Sequence, residues 1–134
     1  MWSKLLSPER RREPRYRATI PATVIFLGTG SGGDQSLAAL GKTRDLSANG
    51  LALYVPAFPF EAGGLTAEQR ALRVELILPA GRVVLAAELV RHEPLPDSHP
   101  EVGRLIATRI TSFDDAVRAL YSEYVKRLVA PDGN

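Results

Sequence analysis

The sequence predicts a mainly β protein: a six-stranded antiparallel β-barrel with a C-terminal α-helix. Three observations carry that expectation. Apolar residues alternate with polar ones through much of the stretch from Ala18 to Ile110, the period of strands with one buried face. Most connections between these stretches are short and rich in Gly, Pro and Asn, which suits antiparallel neighbours. After Ser112 the period becomes helical, with Phe113, Val117, Leu120, Tyr121, Tyr124 and Leu128 on one face.

Taken in order, Ile20, Ala22, Val24 and Phe26 share one face of a first strand. Pro21 cannot donate to a ladder, which places the start of that strand at a sheet edge. Residues 28–42, with Gly28, Gly30, Gly32, Gly33 and Gly41, read as a long flexible hairpin tip. Strand character returns over Thr43–Ser47, turns at Asn49-Gly50 and resumes over Leu51–Val55, a short-hairpin pattern. Pro56–Gly64 reads as a loop, and Thr66–Ala71 is open to one or two helical turns.

Val74, Leu76 and Leu78 alternate in a further strand, and Pro79-Ala80-Gly81 turns the chain into Val83–Arg91. Glu93–Glu101 is a polar loop, and Val102–Ile110 reads as the last strand. The helix takes Ser112 as N-cap with Asp115 as a capping-box-like partner. Asp114 with Arg118 and Glu123 with Arg127 have i, i+4 pairing distance, and Pro131 and Gly133 end the pattern.

At 134 residues the chain fits one domain, with residues 1–8 read as a tail and 9–130 as the folded unit. The absence of cysteine excludes disulfides, thiol catalysis and thiolate metal sites. No apolar run reaches the length of a signal peptide or membrane span, so a cytoplasmic protein is expected. His92 and His99 stand near Glu93 and Asp97 in no ligand spacing typical of a metal site. No Ser–His–acid or paired-carboxylate pattern is present, so neither a cofactor nor an enzymatic activity is expected.

Charge is unevenly placed. In residues 1–17 the six cations Lys4, Arg10, Arg11, Arg12, Arg15 and Arg17 face Glu9 and Glu13, a balance of +4. The whole chain carries +2, so the remainder carries −2. A cationic arm on a mildly acidic body suggests an anionic partner for the arm, not a protein that coats nucleic acid uniformly; a nucleic-acid binder using the arm remains a rival that the acidic body counts against.

Two motifs sharpen this. Arg11 and Arg15 stand at Arg-x-x-x-Arg spacing in the arm, where Pro14 favours extended backbone. Asp45, Ser47 and Gly50 form Asp-x-Ser-x-x-Gly at the strand turn. Guanidinium groups fork to phosphate or to guanine O6 and N7 and stack on bases. The second motif supplies a carboxylate and a hydroxyl, with a glycine that admits a turn or a close approach. Singly, the first motif reads as a solvated tail and the second as an ordinary hairpin turn.

Together, and in this order around a β-rich body, they make the chain resemble the PilZ domain family of bacterial cyclic di-GMP receptors. The resemblance implies a non-catalytic receptor with cyclic di-GMP as ligand, a downstream protein partner and no nucleic acid. It implies that Arg11 and Arg15 hold phosphate and guanine with Arg10 assisting, that Asp45 and Ser47 recognise the ligand, and that Gly50 shapes the site. Folding of the arm over the ligand would carry the signal. The alternative is a protein-interaction module on the same fold without a nucleotide ligand.

Overall fold

A computed structural model describes residues 14–27, 37–56, 70–101 and 103–133, with side chains through Leu128. The elements are β1 (Tyr16–Arg17), β2 (Pro21–Phe26), β3 (Leu37–Leu46), β4 (Gly50–Val55), β5 (Ala71–Leu78), β6 (Gly81–Pro94), β7 (Arg104–Ser112) and α1 (Asp115–Gly133). The strand order is β1-β3-β2-β5-β6-β7-β4, and β3 also pairs with β4. Six strands therefore close into an antiparallel barrel, as the alternating pattern predicts, and β1 is an extra short strand.

The barrel interior is filled by the alternating positions. Val24, Phe26, Leu72, Val74, Leu76, Leu85 and Ile106 are all fully buried. Burial of each such side chain contributes about 1.5–3 kcal/mol. The exposed ion pairs Arg82–Glu75, Arg109–Glu88 and Arg127–Glu123 are each worth about 1 kcal/mol or less. The aliphatic interior, not surface charge, holds the barrel together.

Several local expectations are corrected. Pro21 does not begin an edge strand: β2 lies between β3 and β5. Pro21 is tolerated because, as first residue of the strand, it pairs with Lys42 of β3, whereas the pairing with β5 begins at Ala22. Residues 37–42 belong to β3 and not to the hairpin tip; residues 28–36 lie outside the described residues. Gly41 serves β3 because a Cβ there would stand 2.3 Å from the Tyr54 carbonyl oxygen. Ala71 opens β5, while residues 57–69 lie outside the described set.

At the C-terminus β7 runs on to Ser112, which removes Ser112 as a cap. Asp114 takes that role: its Oδ1 accepts the Val117 N–H at 2.9 Å. Arg118 accordingly does not pair with Asp114 but lies over the Phe113 ring, 4.7 Å from its centroid. Glu123 and Arg127 do pair, at 3.6 Å. The helix extends through Pro131 to Gly133. It docks through Tyr121 and Val125, which join the buried core, with Phe113, Val117, Leu120, Tyr124 and Leu128 packed around them.

Candidate ligand-binding site

The described end of the basic segment, β1, approaches the site as a strand. Tyr16 pairs with Leu46 and Arg17 with Asp45, so β1 lies on the same side of β3 as β2. Residues 18–20 between β1 and β2 leave the ladder, and Thr43 repairs the break. Its hydroxyl accepts the Ile20 N–H at 2.9 Å and donates to the Ala18 carbonyl at 2.5 Å. Thr43 is fully buried, so both bonds matter.

On the other side of β3 the register with β4 shifts: Thr43 faces Leu53, and Asp45 faces Ala52. Arg44 is the extra residue of a β-bulge, and such a bulge re-aims neighbouring side chains. Arg44 Nε donates to Asp45 Oδ2 at 2.8 Å. From the arm, Arg15 Nη1 donates to Asp45 Oδ1 at 2.7 Å. One nearly buried carboxylate is thus held by two guanidinium groups, and the trio keeps a positive excess. Arg15 Nε is buried and has no hydrogen-bond partner among the described residues.

The turn that follows is tight but not of the two-residue kind expected for Asn-Gly. No non-glycine residue and neither Gly41 nor Gly50 has positive φ among the described residues. Instead Leu46 pairs with Leu51, and the Ser47 N–H donates to the Gly50 carbonyl at 3.0 Å. Gly50 is required for close approach: a Cβ there would stand 2.8 Å from the Thr108 carbonyl oxygen of β7. The same point lies 3.6 Å from Arg15 Nη2 and 3.7 Å from Ser47 Oγ. Arg15 therefore lies across the glycine, with Ser47 fully buried beside it.

Of the sequence-predicted residues, Arg15, Asp45, Ser47 and Gly50 come together here; Arg10 and Arg11 lie outside the described residues. Sequence reasoning passed over Arg44, Thr43 and Tyr121. Tyr121 Oη donates to the Ser47 carbonyl at 2.6 Å and approaches the Gly50 carbonyl at 3.4 Å. Arg44 carried a usable signal, a cation adjacent to the motif carboxylate. The other two depend on contacts far apart in sequence.

Elsewhere, a groove of about 330 Å³ is lined by residues including Leu40, Gly41, Tyr54 and Pro56, and Arg15, Asp45, Ser47 and Gly50 are not among its described lining residues. Among the described residues no three His, Cys, Asp or Glu side chains cluster. His99 Nδ1 accepts the Glu101 N–H at 2.9 Å, and its ring rests 5.3 Å from that of Tyr54. Partial desolvation, then Arg104 and Arg70, lowers the His92 pKa below its ordinary 6.5. Among the described residues, no helix is long and apolar enough to cross a membrane.

Arg15 thus lies against an acid–hydroxyl turn on the barrel, in the order in which the two motifs occur in the sequence. The chain belongs to the PilZ domain family, whose model matches residues 9–127. No curated protein matches it in sequence. Several solved structures are similar, three of which follow. The PilZ domain of YcgR from Escherichia coli with c-di-GMP is 17% identical, with a TM-score of 0.61, covering 89% of this chain and 91% of that one. The K. pneumonia MrkH–c-di-GMP complex is 16% identical, with a TM-score of 0.66, covering 93% of this chain and 54% of that one. The Bacillus subtilis inhibitor of motility MotI/DgrA is 20% identical, with a TM-score of 0.57, covering 88% of this chain and 50% of that one. The chain thus spans about half the length of MotI/DgrA and of MrkH. At these identities the likeness establishes the fold.

Proposed function

We propose that this chain is a non-catalytic receptor for cyclic di-GMP. The observation that carries the reading is the Arg15–Asp45 contact at 2.7 Å, which joins the two motifs over Gly50. Family membership and the cyclic di-GMP held by the similar YcgR and MrkH structures support it. In this reading Arg15, with Arg11 and Arg10 from the arm, forks to phosphate and guanine. Asp45 exchanges its arginine partners for guanine N1 and N2 donors, and lifting of Arg15 from Gly50 uncovers the Ser47 hydroxyl. The ligand's two phosphates suit a site with excess positive charge.

Because β1 pairs directly with β3 beside Asp45, moving Arg15 moves the arm that leads into it. Ordering of the arm on the ligand is the proposed signal to a downstream protein partner, in a cytoplasmic setting. Calorimetric titration of the wild-type chain with cyclic di-GMP, with GTP as control, tests the reading. Saturable binding of the cyclic dinucleotide with at most weak GTP binding is expected. No heat with either ligand would favour a protein-interaction module on the same barrel.

A further inference from the structure

We infer that α1 is coupled to the ligand site through Tyr121, a positioning residue that fixes the Ser47–Gly50 turn. The inference rests on the reading of that turn as part of the cyclic di-GMP site. Tyr121 is fully buried, and a buried hydroxyl needs a partner. Its partner is the backbone of the motif itself, the Ser47 carbonyl at 2.6 Å, 74 positions away in sequence. The rest of the turn is tied to β7: the Ile110 N–H donates to the Asn49 carbonyl at 2.8 Å, and Thr108 Oγ1 donates to the Leu51 carbonyl at 3.1 Å. The turn is therefore braced on its carbonyl side by β7 and α1 together.

The helix also packs on β1, the strand that leads from the arm and sets Arg17 opposite Asp45. One element thus touches both halves of the site. A turn held in place before ligand arrives binds without a further ordering cost. Linkage is reciprocal: a ligand that fixes β1 and the turn strengthens the docking of α1 by the same factor. The helix becomes the part of the domain through which occupancy is read.

Tyr121→Phe isolates the hydroxyl, because the ring keeps its place against Phe113, 5.9 Å between centroids. Leu120→Ala is the control, since it loosens helix packing and leaves the Tyr121 hydroxyl in place. In Tyr121→Phe, amide exchange at Ser47 and Ile110 is expected to speed up without ligand, and cyclic di-GMP affinity is expected to fall about tenfold. Leu120→Ala is expected to lower the unfolding temperature and, through the linkage, to weaken affinity by much less than Tyr121→Phe for the stability it loses.

Unchanged exchange at Ser47 and Ile110 in Tyr121→Phe would overturn the inference. So would loss of affinity in both variants in proportion to stability, which would mark a purely structural role. If the wild-type chain binds no cyclic di-GMP, the receptor reading fails alone, and the ligand-free exchange comparison still decides whether Tyr121 positions the turn.

Discussion

Arg15 and Asp45, 30 positions apart, meet through a 2.7 Å charge-assisted hydrogen bond at the seam between the arm and the barrel. Asp45 is held from a second side as well, because Arg44 grips its other carboxylate oxygen at 2.8 Å. The carboxylate is nearly buried, so an incoming donor must replace these contacts and cannot simply add to them. In the proposed receptor, ligand binding is therefore an exchange of partners in which Arg15 takes part.

Arg44→Ala removes one cation from the trio without touching the arm. Cyclic di-GMP affinity is expected to fall about 3- to 10-fold, and its decline with added salt to become shallower. Titrations at two ionic strengths check both. A gain in affinity would mean that Arg44 chiefly guards Asp45 and does not help to draw the ligand.

Gly50→Ala places a methyl group 2.8 Å from the Thr108 carbonyl oxygen, and that oxygen is backbone. The neighbours Arg15 Nη2 and Ser47 Oγ, at 3.6 and 3.7 Å, are ordinary contacts, so the strain falls on the β4–β7 pairing. A loss of about 1–3 kcal/mol is expected in denaturant unfolding. Wild-type stability in this variant would show that the turn has slack.

Thr43→Val keeps shape and removes the hydroxyl that bridges Ile20 and Ala18. The Ile20 N–H is left buried without that acceptor, at a cost of about 1–3 kcal/mol. Faster amide exchange at Ile20 is the local signature. An unaltered unfolding midpoint would contradict it.

Lowering of the His92 pKa has a definite sign in stability. The unfolded chain takes up a proton near pH 6.5, while the folded chain resists until a lower pH. This contribution is present in full above pH 6.5 and is lost as pH falls towards the folded value. On acidification through that window the unfolding midpoint of wild type is expected to fall relative to that of His92→Gln; a parallel course would exclude the effect.

Much of this architecture is legible in the chain. Alternation at Val74, Leu76 and Leu78 specifies a strand because one face must be dry, and Asp45, Ser47 and Gly50 mark the turn by their chemistry. What escapes is set by register and distance. The bulge at Arg44 comes from mismatched pairing with β4, which no local pattern reveals. Ser112 is a good cap in isolation, yet β7 claims it and the helix starts two residues later, behind Asp114. Tyr121 fits a packing stripe perfectly well, and only the folded chain shows its hydroxyl bound to Ser47.

The central claim is that the arm and the turn form one cyclic di-GMP site. Calorimetric titration of Arg15→Ala and Asp45→Ala beside the wild type, with circular dichroism to confirm folding, tests it most directly. Each variant is expected to lose about 10- to 100-fold in affinity while staying folded. Two folded variants that bind cyclic di-GMP as tightly as the wild type would contradict the account.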